Sequence, residues 1–299
     1  MILSIGGIFL NNRQSRVNAI LSLAIASVLW STAGLLIKWV PWNPIAIAGM
    51  RSGIAGIVLI SFWLIRYKSL PTLPTKKKFF ASINYVILVM LFIASNKLTT
   101  AANAILLQFT APVWVMFFAA IFLKEPIKKS DVLTVIVVLS GMVLFFIGNL
   151  GAGGMLGNFL AILSGVAMAI MVVSLKGVQT GSPLEIILWG NILTFIVGIP
   201  FYNGLNISSA SVGGILLLGI FQLGISYIFY ANGIQKVTAL EGILIPVLEP
   251  LLNPVWVFIF AGEKPTIYAL LGGVIVVGAV VVKSLYEMKV NNHLKQDIV

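Results

Sequence analysis

The chain has 299 residues, 60% of them hydrophobic and 9% charged, where a soluble domain carries about 45–50% and about 25%. Nineteen basic and eight acidic residues cannot cover a soluble surface of this size, so the chain reads as a membrane protein and the soluble-enzyme classes drop out. The absence of cysteine excludes disulfides, thiolate catalysis and cysteine metal sites, and the one histidine, His293, lies in a polar C-terminal tail. No cofactor or metal is expected. The net charge of +11 sits mostly at the ends of apolar runs, where it signals topology rather than nucleic-acid binding.

Residues 1–17 read as an N-terminal cytoplasmic segment; its opening MILSIGGIFL has no basic leader and no cleavage site, so it is not a signal peptide. Ten apolar stretches of spanning length follow. The first, 18–38, carries Ser27, Trp30, Ser31 and Gly34 on one face, with Trp30 as a bulky wall. The second, 43–65, holds Arg51 together with Gly49 and Gly53, small residues that suit close helix approach. A polar connection from Arg66 to Lys78, with Pro71 and Pro74, leads to the third span, 79–98, and its stripe Asn84, Leu88, Leu91, Ser95. The fourth, 100–123, contains Gln108 and Pro112, and Glu125 follows it. Spans at 130–148, 154–176 and 183–202 precede the eighth, 211–235, with the stripe Gln222, Ser226, Phe229, Gly233.

The ninth span, 237–261, is the richest in polar and helix-breaking residues. Pro246, Pro250 and Pro254 recur every four residues, so they share a face, and each removes the hydrogen bond to the carbonyl one turn earlier. Such carbonyls are tolerated at membrane depth only where protein or water satisfies them, so this stretch either lines a cavity and gates it or is a kinked packing helix. Glu249 is the acidic residue placed deepest in any span. It can hold a substrate ammonium, bind a proton, or serve helix packing; Asn253 is assigned to the same cavity. The tenth span, 265–285, with Gly272, Gly273 and Gly278, leads into a cytoplasmic tail at 287–299. Trp39, Trp42 and Trp63 lie near span ends and read as interfacial anchors.

In this ten-span frame fifteen basic residues, among them Arg16, Lys78, Lys128, Lys176 and Lys283, fall on one side, and only Lys38, Lys97 and Lys264 on the other. The bias places both termini in the cytoplasm. Sliding the chain along itself by 138 residues lays TAANAILLQFTAP (100–112) over TALEGILIPVLEP (238–250) and aligns Pro112 with Pro250, Glu125 with Glu263 and Lys38 with Lys176. The chain is thus read as a first repeat, 18–148, and a second, 149–286. Five spans per copy is odd, so the second copy enters the membrane from the opposite side, the arrangement of alternating access.

These residues resemble the drug/metabolite transporter superfamily, in its ten-helix EamA-type branch built from two five-helix repeats. The motifs are TAP to KEP in the first copy (Pro112, Glu125) and LEP to GEKP in the second (Pro250, Glu263). Arg51 matches an arginine common in the family's second helix, and the second copy has Trp189 or Gly190 there. The resemblance implies a secondary transporter of small organic metabolites, commonly an exporter of amino acids or related compounds, in the plasma membrane, the inner membrane of a bacterium. The expected fold is all-α, ten transmembrane helices in two inverted repeats.

The cavity is assigned to Trp30, Asn84, Gln108, Gln222, Ser226, Glu249 and Asn253, with Pro112, Pro246, Pro250 and Pro254 as hinges. Arg51 binds a substrate carboxylate or makes a structural pair. Amino-acid export is the leading reading; a nucleoside, vitamin or amine carrier is the alternative within transport. A membrane-embedded enzyme or sensor is the other class, disfavoured because no span carries histidine, cysteine or paired carboxylates. The expected partners are a small-molecule substrate and the lipid bilayer, with no nucleic acid, and a monomer is compatible with this reading.

Overall fold

The computed structural model describes residues 2–147, 150, 154–261 and 266–296; at some of them, including residues 2–13, Lys38, Asn253 and Pro254, only the backbone is described. In chain order the helices are α1 (Ile2–Ser31), α2 (Ala33–Lys38), α3 (Pro44–Tyr67), α4 (Lys76–Leu98), α5 (Ala101–Gln108), α6 (Ala111–Phe118), which runs into a π-helical turn (Ala119–Leu123), and α7 (Lys129–Phe146). There follow α8 (Met155–Lys176), α9 (Leu184–Gly198), α10 (Ser209–Leu217), a π-helical stretch (Leu218–Ile225), α11 (Ser226–Ile234), α12 (Ala239–Leu244), a 3-10 turn (Ile245–Val247), α13 (Leu248–Ala261) and α14 (Ile267–Gln296). No strand occurs among the described residues. A helix meets its backbone hydrogen bonds internally, which hydrocarbon surroundings require.

Nine helical stretches among the described residues are long and apolar enough to cross a membrane, from Gln14–Ile37 to Ile267–Lys289. They fall on nine of the ten expected spans. The remaining one, 237–261, is covered by α12, the 3-10 turn and α13. Pro246 has no N–H to offer the Gly242 carbonyl, and the chain tightens there into the 3-10 turn. The Tyr230 hydroxyl donates to that freed carbonyl at 3.0 Å. Pro250 lies in the first turn of α13, where a missing N–H costs nothing. The counterpart place in the first half is also broken: α5 ends at Gln108, and α6 starts with Pro112 in its first turn.

The first expected span is not one helix either. It turns between α1 and α2, where the hydroxyls of Ser31 and Thr32 donate back to the carbonyls of Val28 and Leu29 at 2.6 and 2.7 Å. Upstream, α1 runs back without interruption to Ile2.

Helices α1–α7 and α8–α14 pack extensively on each other. α3 lies along α9, and α7 along α14. α4 packs against α8 and α9; in matching fashion α11 packs against α1, and the π stretch against α3. α5 and α6 rest on α8 as α13 and the 3-10 turn rest on α1. Each of these contacts is its own counterpart or the counterpart of another under the 138-residue shift. Leu23, Leu59, Tyr85, Met142, Leu175, Ile187, Ile234 and Leu244 form part of the shared buried core, while Ile57, Phe122, Phe159 and Val274 point outward at 56–72% exposure, as a lipid-facing surface requires.

Two expected glycine seams close here. A Cβ on Gly49 would lie 2.8 Å from the Cα of Gly198, and one on Gly272 would lie 2.5 Å from the carbonyl of Gly141. Gly278 departs from the expectation, having nothing within 4 Å. Trp63 departs too: it is 6% exposed and stacks on Tyr67 at 4.3 Å, so it packs inward rather than anchoring at an interface.

Candidate functional site

Midway along the bundle the two sets of helices enclose an aromatic cluster. Trp30, near the end of α1, meets Tyr227 edge-on at 5.2 Å between ring centroids and Tyr230 at 5.1 Å. Tyr85 of α4 meets Tyr227 at 5.8 Å, and its hydroxyl donates to Asn191 Oδ1 of α9 at 3.4 Å. Edge-to-face geometry is what ring quadrupoles favour, so the rings hold one another in place.

Arg51 borders these rings, and Glu249 lies within reach of its charge. Arg51 of α3 donates from Nη1 to Gln222 Oε1 in the π stretch at 3.2 Å, while its buried Nε has no partner. Its electrostatic neighbours are Tyr85, Tyr227 and Glu249. Glu249, in the first turn of α13, is partly buried and makes no hydrogen bond or ion pair among the described residues. Arg51 and Glu249 thus feel each other's field without being bridged. A guanidinium with an unused donor and a carboxylate with free lone pairs, within reach of each other's charge, can together take a ligand of both signs.

The π stretch positions Gln222. Gly219 and Gly224 press it onto α3; a Cβ on Gly219 would meet Ile54 at 2.5 Å and the Arg51 carbonyl at 3.0 Å. π-helical insertions recur at functional sites because they rotate the following residues around the helix. Here they bring Tyr227, rather than Ser226, to the cluster.

Of the residues expected to line a cavity, the structure brings together Trp30, Gln222, Glu249 and Arg51. Ser226 is fully buried, and its hydroxyl donates to the carbonyls of Gln222 and Leu223 in its own helix. The Asn84 amide donates to the Ala167 carbonyl of α8 at 2.8 Å, an interhelix tie. Gln108 is buried at the end of α5, its carbonyl against Gly165. The side chains of Asn253 and Pro254 lie outside the described ones. Sequence reasoning missed Tyr85, Tyr227, Tyr230 and Asn191. Tyr85 and Tyr227 each stand one residue from a chosen polar position, about 100° around a helix, and their counterparts under the 138-residue shift, Leu223 and Val89, carried no signal.

At one end of the bundle the two sets of helices are joined by charge. Arg16 of α1 pairs with Glu241 of α12 at 2.6 Å, Lys78 of α4 with Glu185 of α9 at 2.5 Å, and Lys128 at the start of α7 with Glu287 of α14 at 3.0 Å. Lys283 of α14 bridges Asp131 of α7 and Glu287. Glu125 accepts from the Ala239 amide at 3.0 Å, and the Lys176 ammonium donates to the Gln235 carbonyl at 3.0 Å. A cavity of about 100 Å³ lies among Glu125, Lys128, Asp131, Thr238 and Glu287, within this charged end and apart from the aromatic cluster.

At the other end the joints are neutral. The Trp42 indole donates to the Asn206 carbonyl at 2.7 Å, the Gly154 amide to the Leu98 carbonyl at 3.2 Å, and the Thr99 hydroxyl to Asn158 Oδ1 at 2.6 Å. No ion pair occurs there among the described residues.

The profile of the EamA-like transporter family matches the chain twice, at residues 17–147 and 155–285. The chain is 24% identical over 297 residues to the "Uncharacterized transporter YdfC" of Bacillus subtilis (strain 168), covering 93% of this chain and 95% of that one. It is 28% identical over 277 residues to an "Uncharacterized transporter" of Archaeoglobus fulgidus, covering 87% and 96%. A solved crystal structure superposes with a TM-score of 0.78 at 20% identity, over 92% of this chain and 99% of that one, and so shares the fold. With two tandem matches spanning nearly its whole length, the chain belongs to the EamA-like transporter family.

Proposed function

We propose that the protein is a secondary carrier that exports amino acids by alternating access, from a central site walled by Trp30, Tyr85, Tyr227 and Tyr230. The observation that carries the proposal is the pair Arg51 and Glu249: opposite charges within reach of each other, Arg51 beside Tyr85 and Tyr227 with its Nε unpartnered, and Glu249 making no hydrogen bond or ion pair among the described residues. A free α-amino acid presents both complementary charges. Its carboxylate suits Arg51, and its ammonium suits Glu249 and the ring faces. Leaving either protein charge unmatched in this setting costs several kcal/mol, which favours a zwitterion over a ligand of one sign.

The ten-span, inverted-repeat reading is supported by the double family match and by the main packing contacts between α1–α7 and α8–α14, which have counterparts under the 138-residue shift. With the basic end in the cytoplasm, both termini lie there, in the plasma membrane of a bacterium. The ion pairs at that end close the central site from the cytoplasm. Such pairs seal without locking: the cost of desolvating the charges largely offsets their attraction, and water regains them when the halves part.

The test is transport in liposomes with labelled amino acids, nucleosides and amines. Accumulation of amino acids, reduced at least tenfold by Glu249→Gln and by Arg51→Gln with the melting temperature unchanged, is the expected result. Flux of amines or nucleosides alone would overturn the substrate assignment. The chain has no cysteine, so single engineered thiols give a clean test of topology. Thiols at Lys128 and Lys264 must be reached from opposite sides; labelling from the same side would remove the inverted repeat.

A further inference from the structure

We propose that the segment Arg66–Phe80, which joins α3 to α4, is a docking surface for anionic phospholipid headgroups of the leaflet at the charged end. It carries Arg66, Lys68, Lys76, Lys77 and Lys78, and no acidic residue precedes Glu125 anywhere in the chain. Of these five cations only Lys78 has an ion-pair partner among the described residues, Glu185. The other four are exposed.

Apolar side chains are set among them. Leu70 and Leu73 are 77% and 82% exposed, flanked by Ile65 at 78% and Phe80 at 68%. The segment runs between the end of α3 at Tyr67 and the start of α4 at Lys76, and so lies at the level of the helix ends. Leucines exposed at that level enter the boundary between headgroups and acyl chains, while the cations remain among the headgroups, the division of labour of interfacial membrane binders.

The segment is also held in shape. Pro71 and Pro74 restrict its backbone, the Trp189 indole of α9 donates to the Thr72 carbonyl at 3.3 Å, and Arg66 lies 5.9 Å from the centre of the Tyr67 ring. Its counterpart under the 138-residue shift, residues 204–218, contains no charged residue. The duplication therefore does not account for the cations. They match an anionic surface, and each such contact is worth about a fivefold gain in affinity.

The experiment uses the full chain, delipidated in detergent and analysed by native mass spectrometry after incubation with phosphatidylglycerol or phosphatidylcholine. The wild-type chain is expected to retain phosphatidylglycerol at least tenfold more tightly. Replacing Arg66, Lys68, Lys76 and Lys77 by Gln together abolishes that preference, and replacing Leu70 and Leu73 by Ser weakens both lipids. Replacing Lys124, Lys129, Lys236 and Lys289 by Gln, four exposed cations elsewhere at the same end, leaves it in place. Equal binding of the two lipids, or an equal loss in this control, overturns the proposal. A readout that needs no variant is hydrogen exchange in nanodiscs: residues 66–80 must be better protected with phosphatidylglycerol than with phosphatidylcholine, and unchanged protection also overturns it.

Discussion

The two ends of the bundle join the same helices by different physics. At one end α1–α7 and α8–α14 are tied by Arg16–Glu241, Lys78–Glu185, Lys128–Glu287 and the Lys283 bridge. At the other they are held by Trp42, Leu98 and Thr99 hydrogen bonds and by the meeting of Gly49 with Gly198. Charge pairs tolerate being parted, because water replaces the partner; close-packed glycines do not, because parting them leaves a void or lipid to fill it. On the proposed alternating-access reading, the two unlike ends are gates that respond to different agents.

The largest expected effect breaks the charged end. Glu185→Gln leaves the buried Lys78 ammonium without a counter-charge and should lower stability by about 3–5 kcal/mol. Thermal unfolding in detergent measures it, and the paired replacement Lys78→Met with Glu185→Leu should restore most of the loss. A single variant that melts with the wild type would show this pair to be idle.

Next comes the neutral end. Gly49→Ala places a Cβ 2.3 Å from the Tyr202 hydroxyl and 2.8 Å from the Gly198 Cα, an overpacking worth about 1–3 kcal/mol. Its signature is faster labelling of thiols engineered at the neutral end, with the charged end unaffected; equal change at both ends would mean general loosening.

Ionic strength sharpens the contrast further. The Lys128 side chain is 40% exposed, so its pair with Glu287 is open to screening, whereas both members of the Arg16–Glu241 and Lys78–Glu185 pairs are largely buried. Raising salt should increase thiol labelling at the charged end about threefold and leave the neutral end alone. An increase at both would assign the effect to the bilayer.

The smallest effect is a pH slope. Burial raises the Glu125 carboxyl above its ordinary range, against the Ala239 amide and Lys176, which pull it down. A raised carboxyl favours the fold while protonated, so this contribution is present below the ordinary carboxylate range and lost as pH rises through the raised value. The difference between wild type and Glu125→Gln should therefore fall with rising pH by less than about 1 kcal/mol, given solvent screening. A slope of opposite sign would show that the amide and Lys176 outweigh burial.

The spans were legible because hydrophobic length is a local property. Arg51, Trp30 and Glu249 stood out because charges and large rings at membrane depth demand a reason. Tyr85, Tyr227 and Tyr230 did not stand out, because choosing polar stripes at helical spacing favoured Asn84 and Ser226. Those two turn to interhelix and back-bonded contacts that a stripe cannot distinguish from a wet face. The π stretch Leu218–Ile225 compounds this, since it rotates every later residue of that span.

What the sequence by itself determined is the membrane character, the near-uniform run of apolar spans, the basic side and the repeat, all carried by composition and spacing along one dimension. Only the tertiary structure decided that Arg51 and Glu249 lie within reach of each other's charge, that Trp30, Tyr85, Tyr227 and Tyr230 cluster, and that the joints between the helix sets are ionic at one end and neutral at the other. Those facts are distances between segments more than a hundred residues apart. Such distances follow from how helices pack and twist against each other, and no local pattern encodes them.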